Sequence, residues 1–243
     1  MCSRDVNRGL SAKNDIIDKN PNARLEVMKL DLSSLSSVRQ FAKQLKQKEP
    51  VIDILINNAG VMMCPKETTE DKFEKQLATN HLGICLVIDS LILIANQFLG
   101  HFLLTLLLLE NMKNSSDARV ITVSSMHGMR GQIYFSDINF DTNYSPLEGY
   151  CQSKLANILF TRQLAKKLSQ KYPNIKAYVL HPGTIRSDLL RYLTGVTAIV
   201  YKTLALLFNI DCDLGSQTTL FCALEEELRY ESGYYYRFEL KFI

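Results

Sequence analysis

The chain has 243 residues, 47% of them hydrophobic and 22% charged, with a formal net charge of +3. This composition suits one globular domain with a substantial core and excludes a disordered chain. With so small a net charge and no block of Lys and Arg, the expected partner is a small molecule and not nucleic acid. The six cysteines (Cys2, Cys64, Cys85, Cys151, Cys212 and Cys222) have no paired metal spacing and follow no signal peptide, the pattern of reduced thiols in a cytosolic setting. His81, His101, His127 and His181 also lack ligand spacing, so no metal is expected.

In chain order, residues 10–19 form a polar, helix-like run that stops at Asn20-Pro21-Asn22. Residues 24–32 alternate as a strand does, with Ser33 and Ser34 behind them as helix caps, and a helix is expected over 35–48. The apolar run 51–56 enters Asn57-Asn58-Ala59-Gly60, the pattern of a buried parallel strand running into a tight loop. Further strands are expected at 119–123 and 175–180. Between them Leu155, Ile158, Leu159, Leu164 and Leu168 recur at helical spacing. This alternation predicts a single α/β domain over 1–243, a Rossmann-type doubly wound parallel sheet with helices on both faces. At the end of the chain, Tyr236, Phe238, Leu240 and Phe242 alternate with charged residues, as in one half-buried strand.

Tyr150 and Lys154 fall one turn apart at the start of the long helix, about 5 to 6 Å from each other. A cation that close favours the phenolate, lowering a group that ordinarily titrates near ~10 and making Tyr150 a candidate proton donor. Spacing alone is weak evidence, because Tyr172 and Lys176 repeat it. There Pro173 and Asn174 end the helix, so that second pair reads as structural. Cys151 turns to a different helix face from Tyr150 and reads as packing.

Asn57-Asn58-Ala59-Gly60, Asn80-His81-Leu82-Gly83, Ser124-Ser125, Tyr150 with Lys154, and Pro182-Gly183-Thr184 together resemble the short-chain dehydrogenase/reductase family. The wording at residues 30–34, 150–160 and 181–184 resembles its retinol dehydrogenase branch, numbers 11 to 14. The resemblance implies that Tyr150 exchanges a proton with the carbonyl oxygen and that Ser125 hydrogen-bonds the same oxygen of the substrate. It implies that Lys154 binds the nicotinamide ribose, and that Asn80 holds a water linking Lys154 to solvent. It also implies that Asp31 and Leu32 meet the adenine, that residues 57–60, with Asn57, Ala59 and Gly60, pass along the adenine ribose, and that Pro182, Gly183 and Thr184 lie against the carboxamide. Arg4, following the family's second strand, suggests NADP in preference to NAD, because a guanidinium can pair with the 2′-phosphate. The leucine-rich residues 185–215 read as a substrate lid, apolar enough for a retinoid. By the same resemblance the chain pairs as a homodimer and sits at the endoplasmic reticulum surface, or in the cytoplasm if an N-terminal anchor is lacking.

Three departures from the family accompany this resemblance. The chain starts at the end of the family's second strand, so the first strand and its Gly-rich phosphate loop are expected to be lacking. Residues 84–100 read as an insertion, which leaves Asn80 and Asn96 as rivals for one position; 84–109 is then long and apolar enough for a membrane span, but the acidic residue near its start favours a buried or disordered insert. The last ten residues leave the family's wording. The expected function is therefore an NADP-dependent oxidoreductase interconverting retinal and retinol, or a related apolar carbonyl and its alcohol. The alternative is a catalytically inactive remnant acting only by association with a full-length relative.

Overall fold

The computed structural model describes residues 1–81, 100–185, 188–192, 211–238 and 240–242. The stretch expected to be an insertion, 84–100, falls outside them except for Gly100, as do Asn96 and most of 185–215, the expected lid, including Leu193, Leu204, Leu206, Leu207 and Phe208. Among the described residues no helix is long and apolar enough to cross a membrane.

Strand β1 (Cys2–Ser3) pairs in parallel with β2 (Met28–Lys29) as a separate two-stranded sheet. Helix α1 (Val6–Lys19) joins them. It starts four residues earlier than periodicity suggests because the Asp5 carboxylate caps it, accepting from the N–H groups of Asn7 and Arg8. The nine-residue strand expected at 24–32 is reduced to Met28–Lys29, since its partner offers only two residues to pair with. Helix α2 (Leu35–Lys48) has the expected bounds and is capped by Ser34.

The main sheet runs in the order β3 (Ile54–Asn57), β4 (Ala118–Val123), β5 (Ile175–His181), β6 (Tyr235–Arg237), β7 (Leu240–Phe242). The first three junctions are parallel and the last is antiparallel. Every residue of β4 is buried, because helices cover both faces. On one face Val120 and Ala177 pack with Leu164, Ala165 and Leu168 of α5 (Pro146–Lys171). On the other, Ile121, Tyr178 and Tyr236 pack with Cys222 and Ala223 of α6 (Cys212–Leu224). The single final strand expected from alternation is instead a hairpin. Phe238 takes φ 50 at the turn, so the chain reverses there, and Leu240 and Phe242 are exposed.

Among the described residues β3 has no strand on its other edge. The small sheet is joined to the main body by side chains: Leu30 and Leu32 with Val38, Phe41 and Ala42 of α2 pack on Leu103, Leu104 and Leu108 of α4 (Gly100–Met112). Between β1 and β3 lies a cleft of about 780 Å³, lined along its length by Cys2, Ser3, Ile54, Leu55 and Ile56.

A 3-10 turn, Met126–Arg130, follows β4 and lies flat on α5. A Cβ at Gly128 would come within 2.8 Å of the Lys154 carbonyl, and one at Gly131 within 2.6 Å of the Cys151 carbonyl oxygen. These are backbone atoms inside a helix and cannot move aside. Gly131→Ala is therefore expected to cost about 1–3 kcal/mol, seen as a lower urea midpoint with an unchanged slope. An unchanged midpoint would mean that the turn does not rest on α5.

Candidate functional site

Tyr150, Lys154, Ser125 and Asn80 come together where β4 ends against α5. The helix begins at Ser145, which caps it, with Pro146 in its first turn. A polar network holds its entry: the Tyr144 hydroxyl donates to the Cys64 carbonyl at 2.9 Å, and Gln76 donates to the Tyr144 hydroxyl at 2.8 Å and the Pro146 carbonyl at 2.8 Å. Glu74 caps α3 (Lys75–Asn80) by accepting from Gln76 N–H and Leu77 N–H. Tyr150 and Lys154 are 3% and 4% exposed, so both face the interior.

Lys154 Nζ donates to the Val123 carbonyl at 3.0 Å, and Asn157, one turn on, donates to the same oxygen at 3.3 Å. The Ser124 hydroxyl donates to the Lys154 carbonyl at 2.7 Å. Strand end and helix are thus tied from both sides. Burial pulls Lys154 down to about 8, the ammonium having lost water without gaining a carboxylate. Burial also pushes Tyr150 up to about 12, with the Ser125 hydroxyl, hydrogen-bonded to the phenol, working in the opposite direction. This corrects the expectation that Lys154 lowers the phenol. Its ammonium sits 5.8 Å from the ring centre and is aimed at Val123, so desolvation of the phenolate outweighs it. Tyr150 rests as a protonated acid.

Asn80 is held by three side-chain hydrogen bonds. Its side chain accepts from Val61 N–H at 2.7 Å and donates to the Val61 carbonyl at 2.8 Å and to the Ser153 hydroxyl at 2.9 Å. His101 Nδ1 lies 3.2 Å from the Asn80 carbonyl. Gly60 closes the group, for a Cβ there would lie 3.1 Å from Asn80 Oδ1 and 3.6 Å from Lys154 Nζ. Arg4, Asp31, Leu32, Asn57, Ala59 and Gly60 all line the β1/β3 cleft, so these cofactor candidates are brought together. Asp31 is turned partly inward, accepting from the Ser33 N–H and hydroxyl. Pro182, Gly183 and Thr184 follow the end of β5, outside that cleft lining.

Several participants were not singled out by sequence reasoning. The His127 ring packs edge-on to Tyr150 at 5.8 Å, with Nδ1 3.3 Å from the Ser125 hydroxyl. Asn157 also holds His81 Nδ1 at 2.7 Å. Asn157 was readable as a polar residue on the buried stripe of a helix, three after Lys154. His127 depends on the 3-10 turn, which has no periodicity to read.

A nicotinamide dinucleotide fits this arrangement at its two ends. Gly60 keeps the approach to Lys154 clear, and Asn57 Oδ1 is a buried acceptor with no partner among the described residues. Among the described residues no Gly-rich turn into a helix lines the cleft.

His101 and His181 are each pulled down to about 4 by burial. Between pH 6.5 and 4 the unfolded chain binds more protons than the folded one at both positions, so stability falls as pH falls through that window. Urea midpoints measured from pH 7 to 4 should drop, and His101→Gln should flatten part of the fall. A flat parent profile would contradict this burial.

A family model described as short chain dehydrogenase matches residues 1–195. The chain is 42% identical over 236 residues to human (Homo sapiens) retinol dehydrogenase 12, covering 97% of this chain and 68% of that protein. It is 40% identical over 233 residues to mouse (Mus musculus) retinol dehydrogenase 11, covering 96% and 67%. A crystal structure of an uncharacterized protein from Mycobacterium Paratuberculosis superposes with a TM-score of 0.68 at 34% identity, covering 97% of this chain and 69% of that one. With the parallel sheet and the Ser125, Tyr150 and Lys154 cluster already described, the chain belongs to the short-chain dehydrogenases, oxidoreductases that use nicotinamide cofactors.

Proposed function

We propose that the chain is an NADP(H)-dependent oxidoreductase that interconverts retinal and retinol, or a related apolar carbonyl and its alcohol. The observation that carries this is a buried tyrosine with a serine hydroxyl at its phenol and a buried lysine ammonium 5.8 Å from its ring centre. Bound NADPH supplies the hydride to the carbonyl carbon. As the carbonyl electron pair moves onto oxygen, the Tyr150 phenol donates its proton there, giving the alcohol, and in oxidation it takes the proton back. The Ser125 hydroxyl donates a hydrogen bond to the same oxygen as charge develops. Lys154, charged below about pH 8, offsets the phenolate left behind.

Arg4 is exposed at the cleft and suits a 2′-phosphate, which favours NADP over NAD. Asp31 and Leu32 suit the adenine, Asn57, Ala59 and Gly60 its ribose, Lys154 the nicotinamide ribose, and Pro182, Gly183 and Thr184 the carboxamide. Asn80 acts by positioning, since both its amide hydrogens are given to Val61 and Ser153. The retinoid substrate rests on the names of the relatives. A second reading is a non-catalytic form that associates with a longer relative.

The test is retinal reduction with NADPH by the purified chain and by Tyr150→Phe. General acid catalysis contributes about 10²- to 10⁴-fold, so the variant should lose at least about 100-fold in kcat with KM little changed. A variant within tenfold of the parent would remove Tyr150 from the chemistry. A folded parent with no turnover would favour the second reading.

A further inference from the structure

We propose that His127 is a positioning residue for the carbonyl chemistry: its Nδ1–H donates to Ser125 Oγ and so directs the hydroxyl protons of both Ser125 and Tyr150 at the substrate oxygen. This rests on the reading of Tyr150 as the proton donor, and adds the group that decides which way its proton points.

A serine hydroxyl has one proton to give and two lone pairs to accept with. Among the described residues, Ser125 Oγ meets the backbone N–H of His127 at 3.3 Å, His127 Nδ1 at 3.3 Å, and the Tyr150 phenol, to which it is hydrogen-bonded. The backbone N–H fills one lone pair whatever the ring does. If Nδ1 is bare, Ser125 gives its proton to the ring, and its second lone pair accepts the phenol proton. Both protons are then turned away from the substrate. If Nδ1 carries a proton, His127 fills both lone pairs by itself. Ser125 can then only donate outward, to the phenol oxygen or to a bound carbonyl, and the phenol proton is free for the same carbonyl. Only this second arrangement lets both hydroxyls act on one oxygen as charge develops there.

The fold holds the ring in place for this. His127 lies in the 3-10 turn that Ser125 itself caps, and Gly128, next in the chain, rests so close on α5 that a Cβ would meet the Lys154 carbonyl at 2.8 Å. Met126 and Met129 of the same turn point to solvent, while the His127 ring packs edge-on to Tyr150 with ring centres 5.8 Å apart. Burial and the nearby Arg130 guanidinium hold the imidazole below its ordinary range, so at neutral pH it is uncharged and has a single N–H to place. Which nitrogen holds it is set by the hydrogen bonds the ring makes.

The test compares retinal reduction with NADPH by the parent, His127→Phe and His127→Asn. Phe keeps a ring against Tyr150 and removes the donor, whereas the Asn amide nitrogen can stand where Nδ1 stands. The Phe variant should lose at least about tenfold in kcat with KM little changed, and Asn should return to within about threefold of the parent. In a Ser125→Ala background His127→Phe should cost nothing further, because no hydroxyl is left to orient. A Phe variant within about threefold of the parent, an Asn variant no better than Phe, or an undiminished Phe effect without Ser125 would each overturn the proposal. The tautomer is read independently of turnover and of how the variants fold, by NMR correlation of ring nitrogens and protons in the parent chain with isotope-labelled histidine. A proton on His127 Nδ1 is expected, and one on Nε2 would overturn the proposal. A parent with the Nδ1 proton but no turnover would sink the reductase reading and leave the donation to Ser125 standing.

Discussion

The candidate site depends on a lysine taken out of water. Lys154 is 4% exposed, and its ammonium donates to the Val123 carbonyl. That bond fixes the height of α5 against the end of β4. It therefore sets where Tyr150, one turn earlier, meets Ser125, two residues after Val123. The glycines of the 3-10 turn complete the arrangement by letting backbone lie on backbone. Burial then acts on both titrating groups, keeping the phenol protonated and making the ammonium easier to deprotonate. The resting state is an acid beside a weakened cation, which differs from a tyrosine already ionised by its lysine.

Much of the parallel sheet was legible in the sequence because its signals are local. The apolar runs at β3, β4 and β5 are those of strands covered on both faces, and α2 is bounded by a serine cap that reads directly. The long helix is also plain from its apolar spacing. The strand expected at 24–32 and the single final strand were less readable, since a strand's length is decided by its partner and a turn at Phe238 has no Gly to announce it. The proximity of Tyr150 and Lys154 followed from helical spacing. The balance between desolvation and attraction did not, because burial is a property of the packed state.

The cofactor candidates divide into two groups that the fold joins through one residue. Arg4, Asp31, Leu32 and residues 57–60 line the cleft beside the small sheet, while Ser125, Tyr150 and Lys154 stand at the end of β4. Gly60 touches both, lying in the cleft and close to Lys154 and Asn80. The cleft half is held by helix packing between α2 and α4, without a continuous sheet. A ligand spanning the two halves would bridge parts linked by apolar contacts, so its affinity reports on how well those contacts hold the halves in register.

The most direct test of a nicotinamide dinucleotide site is an NADPH titration of the purified chain, following the cofactor's own fluorescence, since the protein has no tryptophan. Micromolar affinity corresponds to roughly 8 kcal/mol, which neither half would supply alone. Saturable binding, tighter for NADPH than for NADH, is the predicted result. A folded chain that binds neither would contradict the account.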